Sequence, residues 1–263
     1  RGNRQEGACT NHVGMGRGDG VITEQELAPH VEAGSIRVSG WNGYRIYNYT
    51  EQCTYKREWN PQTIEARGLI FSPSGEIVAR PFPKFFNWNE PDASVPGRNP
   101  DEITNKEDGS LGILFYVDGC PKWSTRGRID STQACVADVL WDSLYQQPPT
   151  PEGYTVLAEI VHPETKVIVH YDEPAIIVLA ARHIETGEYM SREDLLAWFA
   201  PLGVPVVEES GIATLQDAID EAKTATAQTE GWVLRWGSHR VKVKGEDYKA
   251  IARMLSGINE RRV

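Results

Sequence analysis

The chain has 263 residues, 40% of them hydrophobic, which is enough to bury a substantial core in one large domain or two small ones. Eight Trp and ten Tyr residues argue against a disordered chain. The formal net charge of −10 argues against nucleic-acid binding over the whole surface, although a local basic groove remains compatible with it. No apolar run approaches the ~18–20 residues of a membrane span.

The four cysteines, at positions 9, 53, 120 and 135, contain no pair with C-x-x-C spacing. This spacing excludes the usual patterns of a zinc site or a thioredoxin-type redox site. We therefore expect reduced thiols in a cytoplasmic protein.

The first half of the chain is predicted to contain mostly strands. Residues 1–20 are glycine-rich and polar and are predicted to form a loose terminus. Thr23 and Glu26 have the spacing of a capping box, which predicts a short helix after Thr23. Residues 89–105, rich in Pro, Asn and Asp, are predicted to form a loop. Strands are predicted over residues 36–38, 44–49, 69–71, 77–79, 111–117 and 122–125.

The second half is predicted to alternate strands with helices. Helices are predicted over residues 132–145, 191–199, 215–224 and 246–263. Strands are predicted over residues 154–160, 167–171, 175–181, 231–236 and 240–244. Antiparallel strands mixed with helices indicate an α+β fold. We expect a single domain over residues 1–263, with no appended C-terminal domain.

Lys106 precedes Asp108 and Gly109 in a K-x-D-G pattern, from which some enzymes build a nucleophilic lysine. Asp-Gly is predicted to form a tight turn that directs the amine into a pocket, because glycine tolerates backbone angles that other residues resist. The pattern alone is weak, since chance produces it in roughly one chain of this length in twenty. A solvated turn is the alternative interpretation.

Lys242 and Lys244 alternate with valines in the predicted strand 240–244. Residues i and i+2 of a strand face the same way, so the two ammonium groups point together while the valines point into a core. A pair of adjacent ammonium groups favours an anion, and phosphate is the natural one. The alternative is an exposed edge strand that lysines protect from further pairing.

Two carboxylates lie in positions that demand a partner. Glu230 begins the strand that pairs with the lysine-bearing strand, where it could hold a hydrated divalent cation or remain a solvated acid. Glu159 interrupts an otherwise apolar strand and needs a partner there. A ribose hydroxyl, a metal ion and a structural arginine such as Arg182 are the three candidates.

Arg67 and Lys84 each place a cation at a strand edge, followed by glycine or by aromatic residues. Cations in such positions could grip leaving phosphates. Ordinary surface charge beside a packed Phe pair is the alternative.

In this order, the motifs resemble the covalent nucleotidyltransferase superfamily of ligases and capping enzymes. More narrowly, the chain resembles the phage-type ATP-dependent RNA ligase 1 family over residues 41–250. The stretches that carry the resemblance, besides Lys106 and the residues described above, are Tyr47–Thr50, Ala66–Phe71, Arg80–Asn87, Arg182–Tyr189, Glu230–Val233 and Lys242–Lys244.

The resemblance implies an ATP-grasp-like adenylyltransferase domain of antiparallel sheets with flanking helices, and a reaction in three steps. Lys106 attacks the α-phosphorus of ATP and forms a lysine–AMP adduct. AMP then passes to the 5′-phosphate of an RNA end. A 3′-hydroxyl attacks that activated phosphate, and AMP leaves.

The resemblance also implies roles for individual residues. Lys242 and Lys244 contact the α-phosphate, and Arg67 and Lys84 bind the outer phosphates. Glu230 binds Mg²⁺ or Mn²⁺ through water.

Three further positions are implied to contact the nucleotide. Glu159 holds the ribose and is a second candidate ligand for the metal. Arg126 lies where the family has a basic residue near the nucleotide, with Lys122 and Arg128 as competing candidates. Glu107 and the backbone around the nucleophile, including Gly109, read the adenine.

The chain departs from the family pattern at its end, because the phage enzymes carry an additional C-terminal domain that helps to select tRNA, whereas this chain stops at Val263. A minimal ligase and a truncated chain are both compatible with this ending, and the choice of RNA stays open.

The expected partners are RNA with 5′-phosphate and 3′-hydroxyl ends and, in RNA repair, a kinase or phosphatase that heals ends first. We expect a cytoplasmic enzyme, or a phage-encoded one in the host cytoplasm. A DNA ligase, a capping guanylyltransferase and a non-catalytic RNA-end-binding module are the alternatives.

Overall fold

The structure is a computed structural model that describes residues 22–163 and 168–260, without the side chains of 256–260. The predicted loose terminus at residues 1–20 lies outside the described residues. The helices are α1 (Glu24–Glu32), α2 (Glu51–Lys56), α3 (Pro61–Glu65), α4 (Thr132–Ser143), α5 (Arg192–Phe199), α6 (Leu215–Ala222) and α7 (Glu246–Glu260). The strands are β1 (Ile36–Trp41), β2 (Tyr44–Tyr49), β3 (Arg67–Phe71), β4 (Ile77–Ala79), β5 (Phe86–Asn87), β6 (Glu102–Asn105), β7 (Ser110–Val117), β8 (Cys120–Thr125), β9 (Tyr154–Val161), β10 (Ala175–His183), β11 (Gly231–Trp236) and β12 (His239–Lys244).

The strands form three four-stranded sheets. The first sheet has the order β1-β2-β3-β4, the central sheet β10-β9-β7-β8 and the third sheet β5-β12-β11-β6. Every neighbouring pair is antiparallel except β5 and β12. The predicted α+β fold of antiparallel sheets with flanking helices is confirmed.

The central sheet is buried on both faces. Successive residues of its strands point to opposite faces, and the residues on each face are apolar. Leu114 and Val156 pack with Trp141 of α4 and Phe199 of α5. Their neighbours, such as Ile113, Phe115 and Leu157, pack against Ile46 and Ile70 of the first sheet in a second cluster. This burial on both faces fixes the position of β7 and β9, which lead directly into the site.

The third sheet buries only one face against a helix. Trp232, Leu234, Val241 and Val243 pack with Ala218 and Ala222 of α6. The alternation of the strands directs Lys242 and Lys244 to the opposite face, as predicted. Strand β12 is not an edge strand, since β5 covers its outer side, so edge protection does not explain its lysines.

Helix α1 begins as predicted, with Thr23 and Glu26 in a capping box. Helices α2 and α3 were not predicted, although Thr50 and Asn60 cap their first turns. These helices have only six and five residues, too few for a helical repeat to be visible in the sequence.

Two predicted elements are wrong. The segment predicted as a loop over 89–105 ends in strand β6, which pairs with β11. Residues 168 and 169 form a bend and residues 170 and 171 are irregular, so none of them is in a strand, while residue 167 lies outside the described residues. Helix α4 buries Leu140 and Trp141, whereas Val139 is 64% exposed.

Arg182 forms a buried ion pair that joins α3 to β10. Its Nη2 lies 2.8 Å from Glu65 Oε1, and its other nitrogens donate to the carbonyls of Pro81 and Gly187. Burial alone would raise the pKa of the Glu65 carboxyl, but the hydrogen bonds and charge of Arg182 outweigh it and hold that pKa below its usual range. Arg182 is therefore not the partner of Glu159.

The Arg182→Met substitution should lower the free energy of unfolding by about 3–5 kcal/mol, because Glu65 would remain buried without its partner. Urea denaturation at pH 7 measures this loss. The double variant Glu65→Gln/Arg182→Met should recover part of the stability. Equal stability of Arg182→Met and the unsubstituted protein would contradict the structural role.

Candidate active site

Lys106 lies where the chain crosses from the third sheet to the central sheet. Strand β6 ends at Asn105, and the Lys106 amide donates to the Gly231 carbonyl of β11 over 2.9 Å. Four residues later, Ser110 begins β7. The lysine is therefore held at the junction of two sheets rather than on an exposed turn.

Gly109 is required for close approach and not for an unusual backbone angle. It lies in a bend, and its φ is outside the left-handed region, so the predicted tight turn is wrong. A Cβ atom at this position would lie 2.3 Å from the Ile160 carbonyl oxygen of β9. Its amide instead donates to Glu159 Oε1 over 3.1 Å, which links the K-x-D-G motif to the carboxylate on β9.

Asp108 anchors the segment that carries Lys106. Its carboxylate is 3% exposed and accepts hydrogen bonds from the amides of Ile168 and Val169 and from the Tyr248 hydroxyl, all at 2.8 Å. These amides are the donors that a strand at 167–171 would have used, which explains the failure of that prediction. The hydroxyl of Tyr171 completes the anchor by accepting from the Asp108 amide over 2.9 Å.

Glu230 holds two lysines with one carboxylate. Its Oε1 lies 2.7 Å from Lys106 Nζ and 2.8 Å from Lys244 Nζ, and the side chain is 4% exposed. The next residue, Gly231, has φ +141°, and a Cβ atom there would lie 2.0 Å from the Val243 carbonyl. Only glycine permits this contact between β11 and β12, and the contact places Glu230 directly beside Lys244.

Lys242 is mostly buried and forms no ion pair within the described residues. Its pKa is lowered to about 7, first by burial and then by the neighbouring charges of Lys84, Lys106, Arg67 and Lys244. A bound anion would offset this repulsion.

The pKa of Glu159 is shifted in the opposite direction, upwards. Burial raises the pKa of Glu159 to about 7, and the nearby Glu230 carboxylate also raises it, whereas Lys106 and Arg67 oppose the rise. Near neutral pH the group therefore exchanges a proton beside Lys106. The three sequence-predicted residues Lys106, Glu159 and Glu230 thus lie in one electrostatic cluster.

A cavity of about 450 Å³ lies between the central and third sheets, and Lys106 and Glu159 of this cluster line it. Its size is that of a small-molecule site. Leu111 and Leu179 of the central sheet and Val233 of the third sheet line it with apolar side chains. These residues were not predicted, because nothing in a strand of apolar residues distinguishes a cavity wall from a core.

Arg240 also lines the cavity and was not predicted. It is buried, and its guanidinium lies 3.9 Å from the centre of the Tyr189 ring and 4.9 Å from that of Phe82. The sequence could have predicted this position, because strand alternation puts Arg240, Lys242 and Lys244 on one face.

Of the other predicted cations, Arg67 and Arg126 line the cavity. Arg67 Nη1 is buried without a hydrogen-bond partner in the described structure. Arg126 donates to the Tyr49 hydroxyl over 3.1 Å. The competing candidates Lys122 and Arg128 pair instead with Asp138 and Asp130 and do not line the cavity.

Of the two remaining predicted residues, Glu107 lines the cavity and Lys84 does not. The Lys84 ammonium lies over the rings of Phe86 and Trp59, 4.5 and 5.4 Å from their centres, and does not line the cavity itself. Glu107 lines the cavity, and its Oε2 accepts a hydrogen bond from the Tyr171 hydroxyl over 2.8 Å.

Within residues 22–163 and 168–260, no group of three or more His, Cys, Asp or Glu side chains is arranged to hold a metal ion. Among the described helices, none has the length and apolar character needed to cross a membrane.

A family model described as RNA ligase matches residues 65–248, which is more than two thirds of the chain. This segment contains Lys106, Glu159, Glu230 and both lysines of β12. The chain therefore belongs to the phage-type RNA ligase family of the nucleotidyltransferase superfamily.

Individual relatives agree with this assignment. RNA ligase 1 of bacteriophage TS2126 is 29% identical over 150 residues, which cover 49% of this chain and 37% of that protein. An RNA ligase of Rhodothermus phage RM378 is 24% identical over 207 residues, which cover 60% of this chain and 46% of that protein. The match thus spans less than half the length of either phage relative.

A solved structure shares the fold. An archaeal ATP-dependent RNA ligase superposes with a TM-score of 0.63 at 16% identity, covering 89% of this chain and 64% of that one. This likeness supports the nucleotidyltransferase fold for nearly the whole chain.

The Gly109→Ala substitution should lower the free energy of unfolding by about 1–3 kcal/mol, because β7 and β9 must separate to admit the methyl group. Gly97→Ala is the matched control, since a Cβ atom at Gly97 meets nothing within 4 Å, and it should change stability by less than about 0.5 kcal/mol. Urea denaturation of both variants measures the difference. Equal effects would contradict the close approach of Gly109 to β9.

Ionisation of Glu159 should make stability fall as pH rises from 5 to 7. The raised pKa means that the folded protein keeps the proton while the unfolded chain loses it, so the stabilising contribution present at low pH disappears as pH passes the folded pKa. The expected loss, relative to Glu159→Gln, is on the order of 2 kcal/mol. Urea denaturation across this range tests it, and parallel pH profiles for the two proteins would contradict a pKa near 7.

Proposed function

We propose that this protein is an ATP-dependent RNA ligase that uses Lys106 as its nucleophile. The observation that carries the proposal is the position of the Lys106 amine, 2.7 Å from a buried carboxylate and beside a cavity bordered by further cations. Membership of the RNA ligase family supports it. A non-catalytic RNA-end-binding module would have no use for an amine held in this way.

The nucleotide base fits between Leu179 and Val233, which line the cavity from the central and third sheets. Apolar side chains on the two walls suit the flat faces of a base. Glu107 and the backbone near Gly109 lie beside the same space and are proposed to read its edge. The ribose then lies near Glu159.

The phosphates fit the cationic end of the cavity. Lys242 and Lys244 contact the α-phosphate, whose charge offsets the burial and the neighbouring cations that together lower the pKa of Lys242. Arg67, whose buried Nη1 has no partner in the described structure, is proposed to bind an outer phosphate. Arg126 and Lys84 complete this end from the direction of Tyr49 and Phe86.

In the first step the Lys106 nitrogen forms a bond to the α-phosphorus of ATP, and the bond to pyrophosphate breaks. The amine must lose a proton before it attacks, and the charges of Lys242 and Lys244 lie beside it. The same charges stabilise the negative charge that develops on the α-phosphate. Glu230, which contacts both Lys106 and Lys244, orients the nucleophile.

A divalent cation fits this arrangement. Mg²⁺ keeps several waters and is commonly held by one or two carboxylates together with substrate phosphates, and Glu230 and Glu159 supply such a pair. Mn²⁺ accepts the same oxygen ligands. When bound, the ion would neutralise phosphate charge.

The later steps transfer AMP from Lys106 to the 5′-phosphate of an RNA end and join that end to a 3′-hydroxyl, with release of AMP. The proposed substrates are therefore RNA ends of this chemistry, produced by cleavage and, where needed, healed by a kinase or phosphatase. RNA repair in a cytoplasm, including that of a phage-infected host, is the setting that we propose.

Incubation with ATP or GTP labelled at the α-phosphate, together with Mg²⁺ or Mn²⁺, tests the first step on a denaturing gel. We expect a labelled band from ATP that disappears in Lys106→Ala and persists in Lys223→Ala, whose lysine directly follows α6, the helix packed behind the third sheet. Absence of label from either nucleotide would contradict the proposal. Label from GTP alone would favour a capping-type enzyme.

The acceptor is tested separately with 5′-phosphorylated single-stranded RNA. We expect ATP-dependent circular products that Lys106→Ala does not form. Sealing of nicked duplex DNA alone would overturn the RNA assignment.

A further inference from the structure

A groove beside strand β1 adjoins the cavity, with one loop between them. The loop after β8 contributes Arg126 and Gly127 to the cavity and then Arg128 to a second depression of about 260 Å³. The opposite wall of that depression includes Ser39 and Trp41 of β1. The cavity and the depression therefore share one loop as a wall.

Strand alternation aligns the β1 side of this groove. Arg37, Ser39 and Trp41 are at positions i, i+2 and i+4 of an edge strand and face the same way. Arg37 reaches the loop, because a Cβ atom on Gly127 would lie 2.9 Å from Arg37 Nη2. A cation thus lies between the cavity mouth and the depression.

The cations on the loop side of the groove have acidic partners, whereas the cation on the β1 side has none among the described residues. Arg128 pairs with Asp130, and Lys122, near the Trp41 ring, pairs with Asp138. Arg37, by contrast, is exposed, and no acidic side chain of the described residues forms an ion pair with it. On a chain with a formal net charge of −10, such a cation beside the site marks a surface for a polyanion.

We propose that this groove, defined by Arg37, Trp41 and the loop 126–130, binds the single-stranded RNA segment that adjoins the end held over Lys106. The inference rests on the proposed function, since it assigns a path to the RNA of that reaction. Arg37 would contact a backbone phosphate and Trp41 would offer a partly exposed ring for stacking with a base. Cations combined with an aromatic ring are the usual elements of single-strand binding.

Formation of lysine–AMP and binding of RNA in the groove can be measured separately. Formation of lysine–AMP uses the cavity alone and involves no RNA. Arg37 does not line the cavity, so its loss should affect RNA binding without affecting labelling by ATP.

The test compares Arg37→Gln with Lys223→Gln, which removes the same charge at the C-terminal end of α6. Three quantities are measured: labelling by ATP, the Kd for a 5′-phosphorylated single-stranded RNA, and the salt dependence of that Kd. Arg37→Gln should label normally and bind RNA roughly five- to tenfold more weakly, with a slope of log K against log salt reduced by about 0.7. Lys223→Gln should match the unsubstituted protein throughout.

Equal RNA affinity of the two variants would overturn the inference, and so would absence of RNA binding by the unsubstituted protein. Loss of labelling in Arg37→Gln alone would also overturn it, because Arg37 would then belong to the nucleotide site or to the fold. Failure of the unsubstituted protein to take label from ATP would instead overturn the proposed chemistry, whatever the RNA affinities are.

Discussion

The carboxylate of Glu230 determines how the candidate site is assembled. It lies at the start of β11, where Gly231 allows β11 and β12 to approach closely, and it contacts Lys106 and Lys244 with a single oxygen. Without it, several ammonium and guanidinium groups would face one another in a partly buried space, where burial first and these neighbouring charges second already lower the pKa of Lys242. A site with this excess of cations, organised around one acid, is suited to bind a phosphate and to hold a lysine ready for attack.

Much of the scaffold was predictable from local sequence, because its signals are periodic. The β11–β12 hairpin was predicted from strand alternation, and the structure confirms that Lys242 and Lys244 share a face while Val241 and Val243 are buried. The same sequence reasoning placed Glu230 at the strand start beside them. The position of Lys106 next to this hairpin could not follow from alternation alone, and the family resemblance supplied it.

What the sequence did not reveal depends on contacts between distant segments. Strand β6 lies in a segment rich in Pro, Asn and Asp and becomes a strand only because β11 pairs with it. Residues 168–171 have strand-forming side chains, but Asp108 takes the amides of Ile168 and Val169. Gly109 was expected to serve a turn, whereas its actual constraint is a carbonyl on β9. Each difference arises from a partner at least 50 residues away in the sequence.

The central claim is that Lys106, among the lysines of the site, forms the covalent bond to AMP. Peptide mapping by mass spectrometry after reaction with ATP and Mg²⁺ tests it most directly, because Lys106, Lys242 and Lys244 can be distinguished within one experiment. We expect an acid-labile AMP adduct on Lys106 and on neither lysine of β12. An adduct on Lys242 or Lys244, or none at all, would contradict it.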